Sequence, residues 1–598
     1  MGKFLKLALG AAAVGAGVKL YKMPNKERAD MFSRNFVKAI SKFSNGLPEP
    51  VVNSEADDVS SVTQKDLITE ATKNSKWVLG YSQKSILPDD ILTREYCIGG
   101  VTRLPARFPT GVLDDIRVRA ICLGTTTGEL TVFAAVDCIG LSNRCIRIIR
   151  QRLADFCAEN NIASINISST HTHSSIDTMG IWGRIIEVFR NNRKVLIKGE
   201  GELMNSCDEE YLEFLYSKVI EVIKEAVADK KEGKLFKAYM GNSSEKSVSE
   251  DAPLKERGIK GYVWDRRQPF DCSCQLLRLR FVPDDKNAKE TVLVNFGAHP
   301  YINSMSEEGK GTGENISGDF VYSLCEYLES AGKNAIFFNG PIAAVYPTRL
   351  YADVYTFENQ AKAVGNELGR ITLAMTKSNE EIYSDELLSP ESYEAQSIIF
   401  KDRESFYKKW VEAKGDEIIE EVELTPSICL KTKEVPLKVG NPIFELISKC
   451  RVGNYTVAKS DNKQYESVTE IGVLELGNTL KIAFIPGEIE PDILSGSSSL
   501  KKEFAFSGED FPEKSLKEVL EYEDLTVFGL TNDACGYIIP DNDFSMMFLG
   551  SNKFMQKLFG NHYLEIFSFG KETASTIVKA FKDLKWYKRC KVKNFYIF

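Results

Sequence analysis

The sequence predicts an α/β fold in which helices cover mixed β-sheets and ligand-capable side chains collect at the carboxyl ends of strands. From Trp77 onward, short apolar runs typical of strands alternate with segments of helical periodicity. The chain has 598 residues, 43% of them hydrophobic, so it can bury a large core and is neither disordered nor fibrous. Four of the apolar runs lead into a histidine, a carboxylate or a tyrosine.

The clearest individual elements lie between residues 130 and 230. Residues 130–136 form an apolar run that predicts a strand, and Ser142 is a suitable N-cap for the helix that follows. The apolar residues on one face of that helix are Ile146, Ile149, Leu153 and Phe156. Residues 165–167 alternate into the next strand, and residues 208–230 carry the pattern of a long amphipathic helix.

Three consecutive segments are expected along the chain. Residues 1–22 form a short hydrophobic N-terminal segment, and residues 23–75 are polar and proline-containing, which is typical of a linker. Residues 76–598 form one large α/β domain. Within that domain, residues 376–435 are unusually charged and less periodic, which predicts an insertion.

The N-terminal segment has the composition of a membrane anchor or a signal peptide. Lysines flank the apolar run 7–18 on both sides. This run is shorter than the roughly 20 residues that a spanning helix needs. A shallow anchor and a secretory signal both fit. The 13 cysteines include no Cys-x-x-Cys pair and lie mostly in apolar contexts, which indicates buried thiols in a reducing compartment. A cytoplasmic, membrane-associated protein is therefore favoured, with export as the alternative.

The overall charge argues against one class of partner. The formal net charge is -8 at pH 7, and no basic stretch suggests an electrostatic footprint for a polyanion. Nucleic acid is therefore not expected as a partner.

Three of the four histidines in the chain stand in two short motifs. His171 and His173 lie within residues 168–175, and His299 follows the apolar run 292–296. A His-x-His pair places two imidazoles on the same side of an extended strand. With a third, distant histidine, this is how many zinc sites are assembled. The pattern by itself also suits an exposed polar turn together with one core histidine.

Two further strand ends carry side chains that could join such a site. Residues 482–485 lead through Pro486 and Gly487 to Glu488, and residues 525–530 lead to Tyr537. Ligands of α/β sheets collect beyond the carboxyl ends of the strands. We therefore expect the four strand ends to converge on one pocket, although four unrelated loops would have the same spacing.

Taken together, these motifs resemble the neutral/alkaline non-lysosomal ceramidase family. The resemblance rests on residues 170–174, His299, residues 486–488 and residues 532–537, and it covers most of residues 77–575. It implies the catalytic N-terminal domain of that family, a zinc amidase that splits the N-acyl bond of ceramide into sphingosine and a fatty acid. Because the chain ends at Phe598, the resemblance leaves no room for the C-terminal immunoglobulin-like domain of the family.

The resemblance also implies roles for individual residues. The zinc (Zn²⁺) ligands of the family fall on His171, His299, Glu488 and Tyr537. His173 lies beside the metal, either as the group that takes a proton from water and returns it to the leaving amine or as an orienting group. Tyr563 corresponds to a further active-site tyrosine, so that Tyr537 and Tyr563 could both stabilise an oxyanion.

Two departures from the family keep three hypotheses open. Residues 175–183 replace a glycine-rich loop that should border the pocket, and residues 243–250 contain no equivalent of an active-site arginine. The leading hypothesis is a zinc-dependent hydrolase of a linear amide in a lipid-like N-acyl substrate, with ceramide as the default. The second is a zinc amidase or esterase for a smaller or more polar substrate. The third is a catalytically silent lipid-binding protein at a membrane surface.

Overall fold

The computed structural model describes most of the chain between residues 19 and 584. The described residues are 19–50, 65–101, 105–242, 263–265, 274–304, 314–347, 357–376, 420–496, 500–547, 550, 552–560 and 562–584. Among them, no helix combines the length and the apolar character needed to cross a membrane.

The strands of the described residues follow the chain in this order. The first ten are Leu67–Thr69 (β1), Trp77–Ser85 (β2), Gly111–Val112 (β3), Arg117–Thr125 (β4), Leu130–Val136 (β5), Ile162–Ser169 (β6), Lys231–Asn242 (β7), Val263–Asp265 (β8), Cys274–Pro283 (β9) and Thr291–Phe296 (β10). The others are Asn315–Ile316 (β11), Asn334–Asn339 (β12), Val345–Pro347 (β13), Val422–Leu424 (β14), Ile428–Lys438 (β15), Ala458–Lys459 (β16), Tyr465–Leu476 (β17), Leu480–Phe484 (β18), Glu488–Ile489 (β19), Thr526–Phe528 (β20) and Tyr537–Ile538 (β21).

The α-helices lie between and after these strands. They are Asn25–Ser41 (α1), Asn143–Arg152 (α2), Ala154–Glu159 (α3), Ile185–Lys198 (α4), Glu209–Ala228 (α5), Asp319–Ser330 (α6), Phe357–Ala374 (α7), Pro442–Lys449 (α8), Pro491–Ser495 (α9), Leu516–Leu520 (α10), Lys553–Phe559 (α11) and Thr573–Asp583 (α12). Short 3-10 helices occur at Lys42–Ser44, Asp541–Asp543 and Leu564–Phe567.

Two large mixed sheets form the centre of the molecule. The nine-stranded sheet has the order β12-β10-β9-β7-β2-β4-β5-β6, with β14 on β7, and the six-stranded sheet has the order β1-β15-β17-β18-β20, with β16 on β17. The pairs β5–β6, β10–β12 and β18–β20 are parallel. Their carboxyl ends therefore leave each sheet together, which is the arrangement that builds a site in α/β proteins.

The two sheets pack face to face, and helices cover both outer faces. On β4, Ile121 and Leu123 enter the core between the sheets, whereas Ala120 and Cys122 face the helices, as the alternation of a strand requires. Helices α2 and α5 cover one part of the nine-stranded sheet, and α6 and α7 cover another. Helices α8, α9, α10 and α12 cover the six-stranded sheet. The predicted α/β fold, with mixed sheets sandwiched between helices, is confirmed.

The predicted single elements are largely confirmed. β5 has the expected bounds, and α2 begins after Ser142, whose side chain accepts a hydrogen bond from the backbone N–H of Cys145. The helix expected to continue to Phe156 is interrupted at Leu153, which remains fully buried while α3 turns to pack on β6. The amphipathic pattern at 208–230 forms α5, with Asp208 as its N-cap.

The prediction of a linker at residues 23–75 is wrong over much of its length. Residues 25–41 form α1, and Leu67–Thr69 pairs with β15 at the edge of the six-stranded sheet. Phe36 on α1 packs in a buried cluster that contains Tyr537, Phe544 and Leu564. The polar composition hid this helix because only a few of its residues, such as Ala29 and Phe36, are buried.

The other two segment predictions lie largely outside the described residues. Of residues 1–22, only 19–22 are described, so the expected hydrophobic run 7–18 is outside the structure. The predicted insertion 376–435 falls mostly on undescribed residues, but its last part forms β14 and the first half of β15. Those strands belong to the two large sheets, so residues 422–435 are part of the main fold.

The packing of α1 on the main fold leads to a stability prediction. We expect Phe36→Ala to lower the free energy of unfolding by about 3 kcal/mol, because a nearly fully buried aromatic side chain would leave a cavity. Val37→Ala, one position along and 38% exposed, should change it by less than about 0.5 kcal/mol. Urea denaturation followed by circular dichroism measures both. Equal stability of the two variants would mean that α1 is not held on the fold through Phe36.

Candidate metal centre

The candidate site lies where four strands of the two sheets end. His171 follows β6 and His299 follows β10, both in the nine-stranded sheet. Glu488 begins β19, directly after β18, and Tyr537 begins β21, after β20. β19 and β21 pair in parallel with Glu488 opposite Tyr537. The predicted convergence of the four strand ends is therefore confirmed.

Hydrogen bonds of Asn532 join the two sheets beside the site. Its backbone N–H donates to Ile167 O at 2.8 Å, and its side-chain oxygen accepts from Ile167 N at 3.0 Å. Its amide nitrogen also donates to Glu470 Oε1 at 2.7 Å. Glu470 forms a buried, two-pronged ion pair with Arg150 at 2.9 and 3.0 Å. The chain beyond β20 is thereby fixed against β6, which sets the relative positions of the groups contributed by each sheet.

His171 does not lie on an extended strand, which corrects the reason given above for its orientation. Its φ is +68°, in the left-handed region, and β6 ends at Ser169. Its backbone N–H donates to Cys138 O at 3.0 Å, and its ring Nδ1 lies 2.7 Å from Ile139 O. A carbonyl oxygen can only accept, so Nδ1 carries the proton and Nε2 holds a lone pair. The ring is 4% exposed.

His299 is held in the same way from the other side of the site. Its Nδ1 donates to Ile342 O at 2.8 Å, and its ring stacks on Tyr346 with centroids 5.1 Å apart. Burial, only partly offset by Glu488, holds the pKa of His299 below its ordinary value. The imidazole is therefore neutral at pH 7, and its Nε2 presents a lone pair to the site.

Glu488 faces both of these lone pairs. Its Oε2 lies 3.2 Å from His171 Nε2 and 3.0 Å from His299 Nε2, yet none of the three atoms has a hydrogen-bond partner. Burial raises the pKa of Glu488, and only a positive charge beside it, supplied by protonated imidazoles when no metal is bound, lowers that pKa to about 2. With both imidazoles neutral, two buried lone pairs and an anionic oxygen at this distance repel each other unless a metal cation lies between them. The residues present therefore fit a metal ion.

His173 lies against the same group. The three imidazoles of His171, His173 and His299 are buried, and their nearest ring nitrogens all lie within 4.8 Å of one another. Burial, followed by the effects of His171 and His299, holds the pKa of His173 well below its ordinary value, so this ring is neutral. Neither of its nitrogens has a hydrogen-bond partner among the described residues. This group of three histidines could hold a metal ion.

Gly100 and Arg107 position His173. Gly100 has a φ of +94°, and a Cβ at this position would lie 2.6 Å from Cγ of the His173 ring. The guanidinium of Arg107 donates to His173 O at 3.0 Å and to Gly99 O. Glycine is therefore needed beside the ring, and Arg107 ties the backbone of the histidine loop to residues 99–100.

The two candidate tyrosines lie near the histidines at different depths. Tyr537 is 6% exposed, with its ring centroid 6.3 Å from that of His299. Tyr563 is partly buried and packs edge-to-face on Phe567 at 5.6 Å. Both line a cavity that His171, His173 and Glu488 also line. The structure therefore brings five of the six candidate residues to one cavity. The sixth, His299, does not line the cavity but lies 3.0 Å from Glu488.

The loop at residues 175–183 borders this cavity, as predicted. Asp177 organises the loop, because its carboxylate accepts hydrogen bonds from the backbone N–H groups of Met179, Gly180, Trp182 and Gly183 at 2.8–3.1 Å. This arrangement fixes Trp182, whose ring lies 5.0 Å from that of Phe567. Trp182 thereby forms an aromatic part of the cavity wall.

Several apolar residues of the cavity had no signal in the sequence. The cavity encloses about 480 Å³, including its open mouth. Its apolar and aromatic lining outside the predicted motifs includes Ile139, Phe444, Tyr455, Leu530 and Phe567. These residues come from separate segments and belong to no common motif, so only the fold brings them together.

Two further points concern residues away from the candidate metal ligands. Residues 243–250, in which an active-site arginine was sought, lie outside the described residues. The fourth histidine, His562, is buried and bonded to Glu565 Oε1 at 2.5 Å and to Phe559 O at 3.0 Å. It is a structural residue, unlike the other three.

Comparisons with known proteins identify the fold. The structure is similar to neutral ceramidase from Pseudomonas aeruginosa, with a TM-score of 0.50 and 14% sequence identity over 86% of this chain and 74% of that chain. It is also similar to a ceramidase complexed with C2, with a TM-score of 0.51 and 13% identity over 85% of this chain and 75% of that one. The chain has a ceramidase-like fold. No family model matches the sequence, and no curated protein matches it.

The Nε2 lone pairs of His171 and His299 beside Glu488 predict one metal ion per chain. We expect His171→Ala and His299→Ala each to lose most of the metal, because the remaining ligands cannot close the site. His562→Gln is the matched control. This variant should keep the metal, because His562 lies outside the group of three histidines. Elemental analysis after gel filtration measures the metal content. Undiminished metal in both alanine variants would exclude the site.

Proposed function

We propose that this protein is a zinc-dependent hydrolase that cleaves a linear amide bond in a lipid-like N-acyl substrate. The observation that carries the proposal is the group of unpartnered imidazole and carboxylate atoms at the base of an apolar, aromatic cavity. The ceramidase-like fold supports it, since two solved structures similar to this one are ceramidases. Ceramide is the default substrate on that ground.

The proposed zinc ligands are His171, His299, Glu488 and Tyr537. Imidazole nitrogen and carboxylate oxygen are common zinc ligands, and histidines whose other ring nitrogen donates to a carbonyl are oriented as ligands of zinc usually are. The chemistry that such an ion supplies is the acidification of a water molecule to a pKa of about 7, suited to attack on an amide carbonyl.

His173 is proposed as the group that moves the proton. Its neutral imidazole can accept a proton at a ring nitrogen and return it to the amine that leaves. Because both nitrogens lack partners among the described residues, either is available without breaking an existing hydrogen bond. In the alternative role, His173 orients a water molecule or a neighbouring ligand and transfers no proton.

Tyr537 and Tyr563 are proposed to bind the substrate carbonyl. Both line the cavity next to His171 and Glu488, so their hydroxyl groups are candidates to donate to an oxygen that becomes negatively charged during attack. Tyr537 is in register with Glu488 across β19 and β21, which fixes its distance from the carboxylate.

The lining of the cavity favours a lipid-like acyl group over a small polar substrate. Met179, Ile181, Trp182, Phe444 and Phe567 form an apolar wall that leads to the histidines. An apolar wall gains free energy from burying methylene groups, at about 0.8 kcal/mol for each. A small polar amide would gain little from it.

A panel of substrates tests the proposal. The purified protein is incubated with zinc and with ceramides, other N-acyl lipids, acyl esters and short soluble amides, and the products are analysed by mass spectrometry. We expect amide cleavage with a free fatty acid as one product. Cleavage of only the short polar amides supports the second hypothesis, and binding of lipid without any product supports the silent lipid-binding protein.

The role of His173 gives a kinetic prediction. We expect His173→Ala to keep the metal and to lose about 100- to 10,000-fold in kcat, the usual contribution of a general acid–base group. Metal analysis and kinetics on one preparation measure both quantities. If the variant loses the metal but keeps its turnover per bound ion, His173 is a ligand and not the proton carrier.

A pair of glycine variants provides a control for the position of His173. Gly100→Ala introduces a Cβ against the ring, whereas Gly199→Ala has a similar positive φ, +71°, with no atom within 4 Å of the new Cβ. Gly199→Ala thus places a side chain at a positive φ away from the site, so only Gly100→Ala should reduce kcat. Equal activity of the two would show that the placement of the ring is unimportant.

Trp182 gives a prediction about chain length. We expect Trp182→Ala to lower kcat/KM about ten- to a hundredfold for a long-chain N-acyl substrate, because apolar contact area is lost. With an acetyl amide of the same head group, kcat/KM should change less than about threefold. Equal losses on both substrates would place Trp182 at the head group or in the fold instead of the acyl wall.

A further inference from the structure

An exposed apolar face lies beside the first described residues of the chain. On α11, Phe554 is 67% exposed and Leu558 is 41% exposed, and the two lie one helical turn apart on the same side. Tyr21, at the start of the described chain, is 69% exposed. Single exposed apolar side chains are common, but exposed apolar side chains that cluster mark interaction sites.

Arg28 links the two parts of this face. Its guanidinium donates to Tyr21 O at 3.2 Å and to Met23 O at 2.8 Å, and it lies 5.5 Å from the ring centroid of Phe559 on α11. Phe32 on α1 also packs edge-to-face on Phe559 at 5.3 Å. The start of the described chain and α11 are therefore held side by side.

Three lysines neighbour these apolar residues in the sequence. Lys19 and Lys22 stand two positions before and one position after Tyr21, and Lys557 directly precedes Leu558 on α11. All three are exposed, and none of them forms an ion pair with a described residue. We call Tyr21, Phe554 and Leu558, together with these three lysines, the docking face.

We propose that the docking face binds the surface of a lipid bilayer that contains anionic lipids. Exposed aromatic and aliphatic groups among lysines are the composition by which proteins insert shallowly into the headgroup region. The adjoining sequence favours a bilayer over another protein, since residues 7–18 are apolar, are flanked by lysines and lead directly into this face. The N-terminal run and the folded face would then contact the same membrane.

Docking in this way would bring the cavity wall close to the membrane. His562 connects α11 to the 3-10 helix that carries Phe567. It forms hydrogen bonds with Phe559 O on α11 and with Glu565 in that 3-10 helix. Because a carbonyl only accepts, the contact to Phe559 O is a donation. This consequence rests on the proposed function, whereas binding of the bilayer does not.

Sedimentation with vesicles tests the docking face in the full-length chain. We expect binding to vesicles of phosphatidylcholine with phosphatidylserine. Binding to phosphatidylcholine alone should be weaker by roughly a hundredfold if all three lysines reach the surface, because each contributes about fivefold. Phe554→Ser with Leu558→Ser should reduce partitioning about tenfold or more. Ile68→Ser with Leu92→Ser is the matched control, because those side chains are 55% and 56% exposed elsewhere, and it should bind as the wild type does.

A fluorescent reporter tests insertion directly. Phe554→Trp should show a blue-shifted emission on vesicles and quenching by brominated acyl chains, whereas Ile68→Trp should show neither. Both double variants should keep the thermal midpoint and the hydrolysis of a short soluble amide. Absence of hydrolysis of every N-acyl substrate by the wild type would count against the proposed function but not against docking.

Several results would overturn the docking face. These are equal partitioning of the two double variants, absence of binding by the wild type to either kind of vesicle, and an unshifted Phe554→Trp emission on vesicles that the chain does bind. In the last case the N-terminal run binds the membrane alone. A concentration-dependent dimer that Phe554→Ser with Leu558→Ser abolishes would assign the face to a second copy of the chain.

Discussion

The candidate site depends on one junction, the hydrogen bonding of Asn532 between the two sheets. His171 and His299 come from the nine-stranded sheet, whereas Glu488 and Tyr537 follow strands of the six-stranded sheet. Apolar packing between the sheet faces cannot fix their relative position to within an ångström, because it is non-directional. The paired bonds between Asn532 and Ile167 can, and the buried Glu470–Arg150 pair holds the amide in place.

The junction is accompanied by backbone strain around the site. His171, Ala344, Leu530 and Asn532 all have positive φ values, between +49° and +68°. Each such residue costs about 1–3 kcal/mol, and only asparagine adopts the conformation readily. Neighbouring hydrogen bonds offset this cost, for example that from Ser169 N to Leu530 O at 3.1 Å. Strain concentrated where four strand ends meet is the pattern expected of a functional site.

Backbone carbonyls decide the chemistry that the histidines can perform. Ile139 O and Ile342 O each accept a hydrogen bond from an Nδ1–H group, which turns both Nε2 atoms towards Glu488. His173 has no such restraint on either nitrogen among the described residues, and it is held through Gly100 and its own carbonyl. In the proposed function, the first two imidazoles bind the cation and the third exchanges the proton.

The sequence by itself determined the layered α/β class, the bounds of β5 and the set of strand ends that carry His171, His299, Glu488 and Tyr537. These features depend on local periodicity and on rare residue types, which are visible in a short window. Only the tertiary structure decided that residues 25–41 pack on the core and that the backbone of His171 adopts the left-handed conformation. It also decided that Trp182, Phe444 and Tyr455 line the same cavity. Those features arise from contacts between segments distant in the chain, and local composition does not encode such contacts.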